Sequence, residues 1–125
     1  MAREAFSTDK IAAPVEPFSP AVRAGEFVYL SGQVAQDPAT GLLIDGDATA
    51  QTERIFANLG AVLEATGKTF ADVVKVGVFL TDMRDYPAMN AVYGRHFAAP
   101  YPARTAIAVA ALPLGAAVEI DIVAR

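Results

Sequence analysis

The 125-residue sequence contains no cysteine and no tryptophan, and it has only one histidine. Without cysteine, the chain can form no disulfide, no thiol nucleophile and no thiolate metal site. A single histidine without clustered carboxylates also argues against a bound metal ion. The chemistry of this chain therefore has to come from arginine, glutamate, hydroxyl and amide groups.

Charged residues are also scarce, at 19% of the chain, and acidic residues outnumber basic ones by 14 to 10, for a net charge of −4. Phosphate binding requires a basic surface, so this balance disfavours a nucleic-acid partner. No apolar run approaches the roughly 20 residues of a membrane span, and no signal peptide follows Met1. We therefore expect a cytoplasmic protein without nucleic-acid or membrane partners.

Hydrophobic residues, in contrast, make up 54% of the sequence. A chain of this length forms one domain, here spanning residues 1–125, with a real core. The apolar fraction is high for a small monomer, whose surface must remain largely wet. Subunit association would bury the surplus.

The residue patterns predict strands and helices in the order strands, helix, strand, helix, two strands. The predicted elements are a hairpin of Ala21–Arg23 and Phe27–Ser31, a helix from about Ala48 to Thr66, a strand Val73–Leu80, a helix after Asp85, and strands Thr105 to about Leu112 and Val118–Val123. This order favours an α+β layer, with both helices on one face of a mostly antiparallel sheet. Strict alternation in the third strand predicts Val74, Val76, Val78 and Leu80 on one face, with Val73 and Phe79 on the other.

Two charged residues lie in the apolar C-terminal region. Arg104 begins a strand in the motif Pro102-Ala103-Arg104, and Glu119 alternates with apolar residues in the last strand. The rigid fork of an arginine is suited to a planar carboxylate, and a glutamate can hold or protonate water. Taken alone, Arg104 is better explained by a structural salt bridge than by binding of a ligand. Glu119 is explained equally well by a solvent-exposed position and by a functional one.

The Pro-Ala-Arg motif, the following apolar strand ending in Leu112-Pro113, and Glu119 between apolar neighbours resemble the signature of the RidA (YjgF) family of enamine/imine deaminases. The segment Ser31-Gly32-Gln33 resembles a second, weaker motif of that family. The likeness extends from about Ile11 to Ala124. It implies a homotrimer with a chorismate-mutase-like fold and with active sites in the clefts between subunits.

The resemblance also implies roles for Arg104, which would bind the substrate carboxylate, and for Glu119, which would order the attacking water. A simple hairpin of the last two strands would place Glu119 opposite about Val109. The family fold instead has the last strand in the middle of the sheet, which would bring Glu119 near Ser31 and Gly32. Ser31 would then be a hydrogen-bonding wall, and Gly32 a point of close backbone approach to the substrate.

Three further positions are candidates for substrate binding by the same resemblance. Asn90 matches a family asparagine near the intersubunit cleft. Phe18 replaces the family's usual tyrosine, so it offers ring surface without a hydroxyl. Ala106 replaces a frequent cysteine, and only its backbone amide remains for a ligand carboxylate.

The resemblance implies a 2-iminobutanoate/2-iminopropanoate deaminase-like hydrolase, which we expect to need neither cofactor nor metal. Its substrates would be 2-aminoacrylate-like enamines and imines, and its products 2-keto acids and ammonia. Two alternatives remain: a non-catalytic module that binds small keto or amino acids, and a deaminase for a different imine. Ribonuclease activity is disfavoured by the acidic charge balance.

Overall fold

The computed structural model describes residues 3–125, in which a six-stranded mixed sheet is covered on one face by two α-helices. The strands are β1 (Glu4–Phe6), β2 (Ala21–Ala24), β3 (Phe27–Gln33), β4 (Val73–Leu80), β5 (Ala103–Ala108) and β6 (Val118–Ala124), and the helices are α1 (Ala48–Thr66) and α2 (Tyr86–Tyr93). The predicted α+β class is confirmed, whereas β1 was not predicted. No helix in this part of the chain is long and apolar enough to cross a membrane.

The strands are arranged in the order β1-β2-β3-β6-β4-β5, so that the last strand lies inside the sheet. β6 runs antiparallel to both β3 and β4, and β5 runs parallel to β4 at the edge. A hairpin of β5 and β6 is thereby ruled out, and the position expected for β6 from the family resemblance is confirmed. One strand, β4, separates the strand of Arg104 from the strand of Glu119.

Helix α1 has the ends that its sequence predicts. The side chain of Asp47 accepts a hydrogen bond from the amide of Ala50 at 3.0 Å, and Gly67 ends the helix with a φ of 79°. A short polar cap and a left-handed glycine are typical of helix termini. The apolar stripe that α1 buries against the sheet contains Ile55, Phe56, Leu59, Val62 and Leu63.

The prediction for the start of β4 was wrong, because the strand is irregular there. Its pairing with β6 skips Val74, which is left 42% exposed, while Val73 lies in the core. A β-bulge of this kind inserts one residue and reverses the alternation on one side of it. From Val76 to Leu80 the predicted alternation holds, with Phe79 on the face away from the helices.

The second helix and the edge strand are shorter than the residue pattern suggests. Asp85 stands at the start of α2 as predicted, but its side chain makes no capping hydrogen bond. β5 ends at Ala108 rather than near Leu112, because its partner β4 ends at Leu80 and offers no further backbone groups for pairing.

The sheet therefore has two contrasting faces. Its helix face is buried against α1 and α2 and carries Val28, Leu30, Val76, Val78, Leu80, Ile120 and Ile122. The opposite face, called the open face below, is covered by neither α1 nor α2. It carries Glu119 and Asp121 next to apolar side chains, of which Tyr29 and Ile107 are each 45% exposed.

Candidate active site

Arg104 is the second residue of the edge strand β5, and its side chain lies against helix α2. Its Nη1 donates a hydrogen bond to Oδ1 of Asn90 at 2.7 Å, and its Nη2 donates one to the hydroxyl of Tyr86. The guanidinium carbon lies 4.6 Å from the ring centroid of Tyr93 and 5.5 Å from that of Tyr86. We call Tyr86, Asn90 and Tyr93 the Arg104 cradle.

The Arg104 cradle contains no carboxylate. The salt bridges within residues 3–125 join Lys10 to Glu64, Arg84 to Asp82 and Arg125 to Glu26. The simpler alternative for Arg104, a structural salt bridge, is therefore wrong for this part of the chain. Since the cradle accepts one N–H from each terminal nitrogen, the remaining donors and the full positive charge are available to an incoming carboxylate.

Glu119 lies on the open face of β6, and its carboxylate packs on the α-carbon of Gly32 in the neighbouring β3. A Cβ atom at Gly32 would overlap Oε2 of Glu119 and would lie 3.0 Å from its Cδ. The β3–β6 ladder is irregular between Leu30 and Gln33, and Gly32 lies within this irregular stretch. Only glycine leaves room for this carboxylate, and the predicted proximity of Glu119 to Gly32 is confirmed.

The environment of Glu119 favours its protonated form more than water does. Burial raises the pKa of the Glu119 carboxyl, and the charge of Asp121 on the same face raises it further. Burial also raises the pKa of Asp121, whose carboxylate packs on Gly77. The hydrogen bond from the Gly77 amide and the charge of Lys75 act in the opposite direction and lower that pKa. A carboxyl with a raised pKa accepts and returns a proton more readily near neutral pH.

A cavity of about 660 Å³ opens beside Glu119. Ser31, Gly32 and Glu119 contribute polar groups to its lining, and Phe18 and Leu114 contribute apolar walls. The Ser31 hydroxyl donates to the carbonyl of Ser19 at 2.6 Å and so ties the segment of Phe18 to β3. The structure thus brings four of the predicted site residues together around one cavity.

Arg104 and Asn90 do not line this cavity. Arg104 pairs across the ladder with Val76, whose side chain is buried on the helix face. Glu119 pairs with Phe79, which belongs to the other face. In a single chain, the predicted carboxylate clamp and the predicted acid/base group therefore lie on opposite faces of the sheet.

Ala106 follows Arg104 on the same strand and the same face. It pairs with Val78, and its partly buried side chain packs against the hydrophobic core. The amide oxygen of Asn90 accepts a hydrogen bond from Arg104, and substrate binding by Asn90 stays a prediction.

The two tyrosines of the Arg104 cradle were not among the site residues predicted from the sequence. Tyr86, Asn90 and Tyr93 follow the spacing i, i+4, i+7, which places them on one stripe of α2. That spacing was a usable signal, but Tyr93 also belongs to the buried stripe of α2, together with Met89 and Val92. Tyr93 is indeed 6% exposed, and its buried hydroxyl makes no hydrogen bond with any described residue.

Comparison with known proteins identifies the family. The family model described as Endoribonuclease L-PSP matches residues 8–125. The protein DfrA of Myxococcus xanthus is 47% identical over 126 residues, covering 99% of this chain and 96% of that protein. A 2-iminobutanoate/2-iminopropanoate deaminase of Mus musculus is 42% identical over 122 residues, covering 98% of this chain and 90% of the relative.

A solved structure agrees with these relatives. The crystal structure of RidA from an Antarctic Psychrobacter superposes with a TM-score of 0.93 at 45% identity, and covers 98% of this chain and 99% of that one. The fold, the positions of the motifs and these similarities lead to the same assignment: the chain belongs to the RidA (YjgF) family.

Proposed function

We propose that this protein hydrolyses 2-aminoacrylate-like enamines and imines to 2-keto acids and ammonia, without a cofactor or a metal. The observation that carries the proposal is the Arg104 guanidinium, which neutral groups hold in place and no described carboxylate neutralises. Membership of the family, and a relative named 2-iminobutanoate/2-iminopropanoate deaminase at 42% identity, support the same activity.

The proposed site requires two subunits. Arg104 and Glu119 lie on opposite faces of the sheet in one chain, so a neighbouring chain has to bring its edge strand β5 to the open face of the first. Such a contact would cover the half-exposed side chains of Tyr29 and Ile107. Repeated around a three-fold axis, it would form a homotrimer with three equivalent sites.

In this site the substrate carboxylate binds the free donors of Arg104, in the paired geometry that a guanidinium offers. The remainder of the substrate enters the cavity of the other subunit, between Phe18 and the backbone of Gly32. Ser31 lines the same space. Binding at both ends fixes the imine carbon close to the carboxylate of Glu119.

Glu119 then acts on water. The enamine first takes up a proton at its terminal carbon and loses one from nitrogen, which gives the imine. Glu119 accepts a proton from the water as the water oxygen bonds to the imine carbon, and passes that proton to the nitrogen, which gives a carbinolamine. Glu119 then takes the proton of the new hydroxyl group and delivers it to the nitrogen as the carbon–nitrogen bond breaks, so that ammonia leaves and the carbonyl forms. A raised pKa suits both transfers, and positioning alone accelerates a reaction that already proceeds in water.

A coupled assay tests this proposal. A pyridoxal-phosphate dehydratase generates 2-aminoacrylate from serine or cysteine, and loss of the imine is followed with wild type, Arg104→Ala and Glu119→Gln. We expect wild type to accelerate hydrolysis and both variants to lose most of that acceleration. Arg84→Ala removes an exposed arginine elsewhere and should behave as wild type. Absence of acceleration, with a keto acid still raising the melting temperature, would favour a binding module instead.

We further propose that RNA is not the substrate, although the family description names an endoribonuclease. The net charge of −4 opposes approach to a phosphate backbone. Wild type should neither retain nor cleave single-stranded RNA at low salt, where electrostatic binding is strongest. Cleavage that Arg104→Ala abolishes would contradict this proposal.

A further inference from the structure

We propose that Tyr86 and Asn90 are positioning residues, which hold Arg104 in a fixed orientation without neutralising it and thereby set the affinity of the site for carboxylates. This inference deepens the proposed function and rests on it for the identity of the ligand. It assigns Asn90 a role toward Arg104 and adds Tyr86 to the residues on which the site depends.

The hydrogen bonds show how the orientation is fixed. Asn90 accepts from Nη1 and Tyr86 accepts from Nη2, so each terminal nitrogen is held from one side. The ring of Tyr93 lies 4.6 Å from the guanidinium carbon and restricts its plane. One N–H on each terminal nitrogen and the Nε–H stay free for a ligand. An arginine ordered in advance loses less conformational entropy when a carboxylate binds.

The chemistry of the cradle is as informative as its geometry. Arg84 and Arg125 each contact a carboxylate, at 2.6 and 2.7 Å. Arg104 instead contacts an amide oxygen, a hydroxyl and aromatic rings. An aspartate at position 90 would bind the guanidinium more strongly than asparagine does. It would also compete electrostatically with the substrate carboxylate, so a neutral acceptor is the choice that favours ligand binding.

A purely structural role for the same contacts is the alternative, since they also join β5 to α2. The substitution Asn90→Asp separates the two roles, because it keeps the size of the side chain and the acceptor oxygen. If the contact only stabilises the fold, Asp should serve as well as Asn or better. If the contact keeps the charge of Arg104 available, the Asp variant should fold normally but bind the ligand more weakly.

The experiment measures two properties of wild type, Asn90→Asp and Tyr86→Phe. Binding of 2-oxobutanoate, the keto acid that corresponds to 2-iminobutanoate, is measured by calorimetry, and KM and kcat by the coupled assay. Ser7→Asp introduces the same charge on an exposed residue next to β1, at the opposite edge of the sheet. Tyr101→Phe removes a hydroxyl from a tyrosine that is 67% exposed.

For Asn90→Asp we expect an unchanged or higher melting temperature, and a Kd and KM about three to ten times higher, as a neighbouring charge in a largely solvated site would produce. For Tyr86→Phe we expect Kd and KM to rise about threefold, because one hydrogen bond to a charged group is lost. Because the carboxylate is bound in ground and transition states alike, kcat should change little. Both control variants should match wild type.

Asn90→Asp that binds the keto acid as tightly as wild type, or wild type that binds no keto acid, would overturn the inference. Should Asn90→Asp fail to fold, Tyr86→Phe against Tyr101→Phe decides the question in the same way. Wild type that binds the keto acid without turning over the imine would refute the proposed deaminase. The positioning role would then be judged from the Kd values alone.

Discussion

The two charged groups of the proposed site are held by different means on the two faces of the sheet. Arg104 lies on the edge strand, where side chains from α2 hold it through hydrogen bonds and aromatic rings. Glu119 lies on an inner strand, over the bare α-carbon of Gly32 and near a second carboxylate, Asp121. No salt bridge within residues 3–125 involves either of them.

This difference shows how one small fold keeps two opposite charges available. The cation is surrounded by polar and aromatic groups that tolerate it, and so it keeps its charge for a ligand. The anion is placed where burial and like charge disfavour it, and so its affinity for a proton rises. Unneutralised charges contribute little to folding, and their presence at one edge and one cavity of a well-packed domain is typical of functional sites.

The largest expected effect comes from displacing the carboxylate of Glu119 while leaving Arg104 in place. In Gly32→Ala the added Cβ would overlap the carboxylate of Glu119, which must turn away. We expect kcat to fall by about 100-fold, the contribution typical of a positioned acid/base group. Binding of 2-oxobutanoate should be weakened much less, since Arg104 is untouched. The coupled assay and calorimetry measure the two effects.

Gly77→Ala is the matched control for that substitution. Its Cβ would overlap the carboxylate of Asp121 on the same face of the sheet, one strand away. In both variants the added Cβ meets a carboxylate at the end of a side chain, but only Gly32→Ala displaces Glu119. Equal loss of activity in the two variants would show that the sheet, and not the position of Glu119, is responsible.

A slightly smaller effect is expected from separating the two groups into different chains. Arg104→Ala and Glu119→Gln should each be nearly inactive, but a mixture that is unfolded and refolded together should regain activity. If each site takes its arginine from one subunit and its glutamate from the next, random assembly of equal amounts leaves about one quarter of the sites intact. Sites formed within single chains would regain nothing, and separately refolded variants provide the baseline.

Much of this architecture could be predicted from local sequence. Asp47 and Gly67 mark the ends of α1 because capping involves residues adjacent in the chain. The β2–β3 hairpin likewise depends on a short turn, at Gly25. Such features need only the hydrogen bonds and backbone angles of neighbouring residues, so composition and spacing are sufficient to identify them.

The arrangement of the site could not be predicted in this way, because it depends on pairings between distant segments. The insertion of β6 between β3 and β4 brings Glu119 to Gly32, and only the family resemblance suggested it. The bulge at Val74 could not be recognised from the sequence, because a valine-rich segment looks the same with or without it. Tyr86 looks like an ordinary first-turn residue of α2 until β5 places Arg104 beside it.

The smallest expected effect concerns the influence of the Asp121 charge on the pKa of Glu119. Burial and the charge of Asp121 both raise the pKa of Glu119, and the proposed reaction needs Glu119 ionised. Activity should therefore fall as the pH drops through this raised pKa. Asp121→Asn removes the neighbouring charge and leaves most of the burial, so the pKa should fall and the acid limb of the kcat profile should move to lower pH. Asp9→Asn removes an exposed carboxylate that follows β1, and it should leave the pH profile of kcat unchanged. A limb that shifts upward in Asp121→Asn would mean that the titrating group is not Glu119, since loss of a like charge can only favour its ionised form.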